Sequence, residues 1–492
     1  MSPSSPAAES LARASRALSP VLDSIAGLSS AFAAQGHELA LVGGPVRDAF
    51  LGRQSPDLDF ATNARPDAIE TLLRGWADHT WDVGRAFGTI GACRGDLVVE
   101  VTTYRADAYE PGSRKPVVAF GDTLEADLTR RDFTVNAMAL RLPDRVFVDP
   151  CGGLEDLVQG RLRTPQEPEV SFSDDPLRMM RAARFTATLG LHVDLAVAEA
   201  MTGMASRLDI VSSERVRDEL TRLLLGADPR AGVEVLVSTG LAEVVLPEVP
   251  ALQLEVDEHH RHKDVYQHSL QVLEQAIALE SPPTATGADE VPGPDLVLRL
   301  AALLHDIGKP ATRRFTSGGG VSFHHHEVVG AKLARSRLRA LRYDKETVKD
   351  VSRLVELHLR FHGYGSGEWT DSAVRRYVTD AGDLLGRLHR LTRSDCTTRN
   401  RRKAARLSAS YDDLERRIDR LREQEQLEAV RPELDGHQIA EVLGIEPGPL
   451  LGRAYKHLLE VRMERGLIGH EEAVTELRRW WRERAQPSGA AE

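Results

Sequence analysis

"LVGGPVRDAFLGRQSPDLDFATN", residues 41–63, places two glycines, an Arg-Asp pair and two alternating aspartates in one short window. Leu39 to Val42 read as a short apolar strand that Gly43 and Gly44 end. Glycine adopts backbone angles other residues resist and leaves room for a phosphate beside the amides. Pro45 suits the first turn of a helix, with Arg47 close behind. After the "LGRQSP" turn, Asp57 and Asp59 alternate with Leu58 and Phe60. Side chains two apart on a strand share a face, so both carboxylates point one way and both apolar groups the other. Two such carboxylates repel unless a cation sits between them. Mg²⁺ is commonly held by one or two carboxylates plus phosphates, and two-metal sites with ions about 3.5–4 Å apart serve phosphoryl transfer. The plain alternative is a solvent-facing edge strand. In "LVVEVTTYR", Glu100 alternates with Val99 and Val101. It is either a third metal-site carboxylate or an outward polar position on a half-buried strand.

Outward from this window, the 492 residues imply three or four domains. A hydrophobic content of 41% suffices for real cores. No apolar stretch approaches a membrane span, and "MSPSSPAAESLARASRALSP" lacks a signal-peptide core. Three separated cysteines, Cys93, Cys151 and Cys396, fit a reducing cytoplasm and argue against a zinc–cysteine site. The net charge of -11 counts against a nucleic-acid binder, although local basic clusters decide contact.

Residues 1–25 are expected as a disordered tail and 26–165 as an α/β or α+β domain. Residues 166–255 turn helical, and 256–410 are helical and hold most of the 17 histidines, which makes a metal site worth testing. "SPPTATGADEVPGPD" (281–295) reads as an exposed loop between two helices. Residues 411–480 form charged amphipathic helices, and "AQPSGAAE" frays.

"GGPVRD", "DLD", "RRDFTVNAMAL" (130–140), "DPCGGLEDL" (149–157) and "DDPLRMMRAARF" (174–185) resemble, in order, the motifs of class II CCA-adding tRNA nucleotidyltransferases and the related bacterial poly(A) polymerases. The resemblance implies an α+β fold: a polymerase-β-like nucleotidyltransferase head at 26–165, an all-α neck for nucleotide selection and RNA binding at 166–255, an HD-type body at 256–410 and a helical tail at 411–492. It implies Asp57 and Asp59 as Mg²⁺ ligands, with Glu100 helping to orient or activate the attacking 3′-hydroxyl. The nucleotide-binding set it implies is Gly43, Gly44, Arg47, Arg131, Asp132, Asn136, Asp175, Arg178, Arg181 and Arg184. Asp174 stands where the family usually has Glu.

The "DDPLRMMRAARF" chemistry can be argued directly. Cytosine and adenine both present an amino donor beside a ring-nitrogen acceptor. A carboxylate accepts from the first and a guanidinium donates to the second, so Asp175 and Arg178 select C and A over U and G. The alternative is a capped helix with a solvated basic face. "YRADAYEPGSRKPVVAFG" (104–121), with Asp107, Tyr109, Arg114 and Lys115, occupies the place of the family's flexible loop, which favours full CCA addition over CC addition. "SSERVRDELTRLLL" (212–225) resembles the neck motif and reads mostly as a Ser-capped helix with Val216, Leu220, Leu223 and Leu224 as its core stripe.

"LRLAALLHDIGKP" (298–310) ends an apolar helix in His305-Asp306. With His268 upstream and Asp395 downstream, the order resembles the HD phosphohydrolase superfamily, whose core ligands match His268, His305, Asp306 and Asp395. His326 and His358 complete a second metal position in this reading. Imidazole suits transition metals, and a bound metal activates water against a phosphoester. The alternative is a body that keeps the fold without the activity. "RNRRKAAR" (399–406) is a basic run fit to track acceptor-arm phosphates, or solvated helix surface.

These readings converge on template-independent addition of CCA to tRNA, using CTP and ATP and releasing pyrophosphate. A poly(A) polymerase on the same scaffold, and an HD-type phosphohydrolase with a nucleotide-binding head, remain the alternatives. Neither the oligomeric state nor the HD metal and substrate is legible.

Overall fold

The computed structural model describes residues 6–53, 57–105, 120–121, 123–253, 264–287, 289–315, 321–361, 364, 369–398, 400–425 and 431–485. The chain divides into two units, 1–247 and 248–492.

The first unit is built on a seven-stranded sheet. Its strands are β1 (Leu39–Val42), β2 (Asp57–Thr62), β3 (His79–Trp81), β4 (Thr89–Arg94), β5 (Leu97–Thr103), β6 (Ala139–Leu142) and β7 (Val146–Val148). Their spatial order is β3-β4-β5-β2-β1-β6-β7. All neighbours are antiparallel except β2 and β5, which run parallel with Asp59 opposite Glu100. β1 lies near the middle of the sheet and is buried along its whole length, as the run Leu-Ala-Leu-Val demands. β2 and β5 alternate as the sequence requires: Leu58, Phe60, Val99 and Val101 are at most 3% exposed, while Asp57, Asp59 and Glu100 face out.

Residues 6–24, expected within a disordered tail, instead form a helix. Ala14, Leu18 and Leu22 recur every fourth residue and are buried, and the helix packs against the helix Gly44–Phe50. The stripe is short and dilute in Ala, Ser and Arg, which made it read as polar.

The helices Pro168–Asp174, Leu177–Leu189, Ser213–Leu224 and Pro229–Ser238 complete this unit. Gly232 sits where a Cβ would lie 2.9 Å from the Ala183 carbonyl oxygen, which lets the helices Leu177–Leu189 and Pro229–Ser238 approach closely.

The second unit is helical apart from a two-stranded ribbon, Arg314–Phe315 with Val321–Ser322. Helices Val265–Ala278, Leu296–Leu304, His326–Ala340, Lys345–Leu357 and Leu385–Ser394 surround the histidines. The 281–295 segment does join two helices, but it is more than an exposed loop. Arg422 holds the Asp289 carboxylate, Arg390 donates to the Asp289 carbonyl at 2.7 Å, and Val291 is 3% exposed. The C-terminal helices Gly436–Leu443, Pro449–Arg465 and His470–Ala485 share a core of Leu434, Ile439, Leu458, Leu477 and Trp480. No single helix among the described residues is long and apolar enough to cross a membrane.

Candidate active site and metal centre

β2 and β5 bring Asp57, Asp59 and Glu100 onto one face of the sheet. Crowding by protein raises the Asp59 pKa above the ordinary carboxylate value, the Glu100 and Asp57 charges add to the rise, and Arg131 opposes it. Charges of one sign on one face of a sheet fit a cation-binding set.

On the other side of β2, β1 runs into Gly43, whose φ of 72° is the left-handed geometry that favours glycine. A Cβ there would lie 2.9 Å from Arg131 Nη1, so the bare backbone also makes room for that guanidinium. Pro45 occupies the first turn of the helix Gly44–Phe50 as expected.

Five of the predicted nucleotide-binding residues, Arg47, Asn136, Asp132, Arg181 and Arg184, join one polar chain. Arg47, 9% exposed, donates to Asn136 Oδ1 at 2.5 Å. Asn136 donates to Asp132 Oδ1 at 2.9 Å, and Arg181 approaches Asp132 Oδ2 at 3.5 Å. Burial pushes the Asp132 carboxyl up, but Arg181 and the Asn136 amide outweigh it and hold it below the ordinary range. Arg181 and Arg184 both reach Glu219, at 3.4 and 2.5 Å. Arg131 is held by Asp127 at 3.1 Å.

Two readings gain detail. The solvated basic face weighed as the alternative is not what Arg178, Arg181 and Arg184 form. Arg178 is 9% exposed and donates to the Arg130 carbonyl at 2.7 Å and to Ser171 Oγ at 2.8 Å. Asp175 accepts from the Leu177 amide at 3.1 Å and from Arg215 Nη2 at 3.0 Å. In this conformation, then, the proposed selecting pair is engaged within the protein. The neck helix also does more than present a core stripe, because its Glu219 anchors two arginines. The signal was available: Glu219 lies three residues after Val216 and four before Leu223, on the apolar face. Asp127 and Asp156 gave no such signal. Asp156 is fully buried and takes hydrogen bonds from Thr134, Arg161 and Arg163, so "DPCGGLEDL" is a structural clasp whose Asp149 caps the helix Gly153–Val158.

Of the loop expected to switch between CTP and ATP (104–121), residues 106–119, with Asp107, Tyr109, Arg114 and Lys115, lie outside the described residues. Arg399 of the basic run is outside them too. The rest of the run opens the helix Arg401–Glu425 with Arg401, Arg402, Lys403 and Arg406 exposed.

In the second unit all six predicted ligands converge, in two groups: His268, His305 and Asp395, and Asp306, His326 and His358. The ring nitrogens that could donate their ligand atoms are already oriented. Nδ1 of His305, His326 and His358 meets the carbonyl three residues upstream at 2.9, 2.8 and 2.6 Å. That contact directs each Nε2 inward. The inward Nε2 atoms of all three are buried without a hydrogen-bond partner. Buried polar atoms left so are costly, and a shared cation is the partner this donor set suits. Asp306 Oδ2 lies 3.2 Å from His305 Nε2, and Oδ1 lies 3.3 Å from His326 Nε2, so one carboxylate serves both groups. His268 Nε2 lies 2.9 Å from Asp395 Oδ1. Burial, with the His305 charge, pulls His358 down to about 3, so it is neutral and able to ligate. The sequence did not single out Lys309, whose Nζ stands 2.8 Å from Asp306 Oδ2.

A carboxylate-bearing sheet beside a glycine turn, followed by helices and a two-group histidine–aspartate cluster, is a polymerase-β-like nucleotidyltransferase head with an HD domain. Both kinds of domain are metal-dependent. The Poly A polymerase head domain matches residues 39–163, the "Probable RNA and SrmB- binding site of polymerase A" matches 190–252, and the HD domain matches 265–381. The chain is 34% identical over 456 residues to the A-adding tRNA nucleotidyltransferase of Deinococcus radiodurans, covering 90% of this chain and 95% of that one. It is 32% identical over 461 residues to the CC-adding enzyme of Thermus thermophilus, with 91% and 95% covered. The CCA-adding enzyme of Bacillus pumilus is 40% identical over 219 residues, 44% of this chain and 52% of that enzyme. In fold, the chain resembles the Bacillus stearothermophilus CCA-adding enzyme in complex with CTP, with a TM-score of 0.66, 24% identity and 94% and 98% of the chains covered. The chain belongs to the family of tRNA nucleotidyltransferases and bacterial poly(A) polymerases.

Proposed function

We propose that this protein adds CCA to the 3′ end of tRNA from CTP and ATP, releasing pyrophosphate at each step. The observation that carries the reading is the same-face placement of Asp57, Asp59 and Glu100 next to the Gly43 turn. Asp57 and Asp59 would hold Mg²⁺, which when bound supplies charge neutralisation for the attacking and leaving oxygens. Gly43, Gly44 and Arg47 would receive the triphosphate. Glu100 would orient or accept the proton of the attacking 3′-hydroxyl. Asp132, Asn136 and Arg181 hold the floor of the nucleotide site in one hydrogen-bonded arrangement, and Asp175 with Arg178 would read the base once released from their internal partners. The exposed basic start of the helix Arg401–Glu425 would bind tRNA phosphates.

One observation favours a narrower reading. Two relatives that align over nearly the whole chain are an A-adding and a CC-adding enzyme. Primer extension separates the possibilities. tRNA transcripts ending before CCA are incubated with Mg²⁺ and CTP, ATP or both, and products are read at single-nucleotide resolution. Two additions with CTP, a third only with ATP, then a stop is the expected result. A stop after CC, a lone A added to a CC-ended tRNA, or a long ladder with ATP would each replace it with a different specificity.

The second unit supports a separate phosphohydrolase activity on the same grounds of donor chemistry. His268, His305 and Asp395 would hold one transition-metal ion and Asp306, His326 and His358 a second. Such ions when bound supply a water activated against a phosphoester. Lys309 is placed to bind a substrate phosphate beside Asp306.

A further inference from the structure

Across the outer half of the sheet, four residues stand in register on four adjacent strands. Asp59 of β2 is opposite Glu100 of β5, Glu100 is opposite Gly91 of β4, and Gly91 is opposite Trp81 of β3. Residues directly opposite each other on paired strands share a face, so Trp81 lies on the carboxylate face. Its indole covers the bare backbone of Gly91, where a Cβ would fall 2.1 Å from the ring Nε1. Trp81 keeps 37% of its surface open, and Phe87 in the same lining keeps 51%. Trp81, Val83, Phe87, Gly91, Glu100 and Arg105 line a single cavity of about 550 Å³. That size lies within the range of small-molecule sites.

The sheet order decides which substrate this cavity serves. Gly43 and its helix follow β1, on one side of β2, while β5, β4 and β3 lie on the other. In-line nucleotidyl transfer sets the attacking and leaving oxygens on opposite sides of the reacting phosphorus. With the triphosphate toward Gly43, the attacking 3′-hydroxyl arrives from the β5 side, over Glu100. One strand spacing, about 5 Å, separates Glu100 from Gly91 and the indole above it. That distance is comparable with the reach from a nucleobase to its own 3′-hydroxyl.

Resting on the nucleotidyl-transfer reading, we infer that Trp81 is a primer-positioning residue: the 3′-terminal base of the RNA stacks on its indole, which places that nucleotide's hydroxyl at Glu100. Stacking on an aromatic ring tolerates any base, as a site must that meets a different terminal nucleotide after each addition. Gly91 is part of the device, because any side chain there would displace the ring.

The test uses the full chain, Mg²⁺, CTP and tRNA transcripts ending before CCA. Trp81→Ala is expected to raise KM for the RNA about tenfold and leave KM for CTP unchanged, and Trp81→Phe to recover most of the loss. A transcript with an abasic 3′-terminal nucleotide should cost the wild type a similar factor and cost Trp81→Ala nothing further. An unchanged KM for RNA in Trp81→Ala, or an abasic penalty that persists in full in that variant, overturns the inference while nucleotidyl transfer stands. A wild-type protein that extends no RNA overturns the functional reading, and this inference with it.

Discussion

Replacing Asp306 by asparagine changes one oxygen to an amide nitrogen and removes one negative charge from the floor of the HD cluster. The carboxylate faces His305 Nε2 at 3.2 Å, His326 Nε2 at 3.3 Å, His268 Nε2 at 3.7 Å, His358 Nε2 at 3.9 Å and Lys309 Nζ at 2.8 Å. Despite burial, the His305 and Lys309 charges hold its pKa well below the usual range, so it is an anion at every working pH. Only Asp306 and Asp395 bring negative charge to the six ligands. Removing one therefore halves the charge available to two dications. Losing even an outer partner of a metal ligand costs about 10–100-fold in affinity, so losing a shared ligand should cost at least about 100-fold for both ions. Elemental analysis after dialysis against Ni²⁺ should find two ions per chain at this centre in the wild type and fewer than one in Asp306→Asn. His326→Ala, which touches only one group, should keep one. CTP addition to tRNA by Asp306→Asn should stay within about twofold of wild type. Retention of two ions with unchanged affinity in Asp306→Asn would refute the shared-carboxylate geometry.

Asp59→Asn should lower nucleotide addition by about 10³-fold or more, while His305→Ala leaves it unchanged; primer extension with both variants checks the assignment. In metal-free protein the sign for Asp59 reverses. Its folded pKa is raised, so ionisation at pH 7 costs stability, and the cost fades as pH falls through that raised pKa. Chelated Asp59→Asn should therefore melt higher than wild type at pH 7, with the gap closing on acidification, as differential scanning calorimetry would show. Glu219→Ala strips Arg181 and Arg184 of a carboxylate. The cost should be about 2–3 kcal/mol, below the about 3–5 kcal/mol of fully buried pairs, because Arg181 retains Asp132 and 32% of its side chain is open. The thermal transition of the first unit should fall by several degrees, and KM for CTP should rise.

The parts that were legible in the sequence depend on near neighbours. The alternation around Asp57, Asp59 and Glu100 needs only the two-residue period of a strand, and the turn at Gly43 needs only its glycines. His305 and Asp306 were legible because such residues at the end of an apolar helix have few other reasons to be there, and the other HD ligands were legible through the resemblance. That Asp306 groups with His326 and His358 rather than with His268, His305 and Asp395 was not, since it depends on how five helices pack. The partners of the arginines were hidden for the same reason. Arg181 meets Asp132 from 49 residues away and Glu219 from 38, and no local pattern encodes such pairings. The internal partners of Arg178 were hidden likewise, because the carbonyl of Arg130 that it meets lies 48 residues away.

The helix Pro6–Ser24 packs on the helix that begins at Gly44 and carries Arg47, and Asp23 pairs with Arg145 at 2.5 Å beside β7. Residues that read as a disordered tail are thus part of the foundation under the helix that carries Arg47. An expression boundary drawn at residue 26 would strip the helix Gly44–Phe50 of this packing and loosen the anchorage of Arg47, and the trimmed enzyme would be misread as having weak affinity for nucleotide.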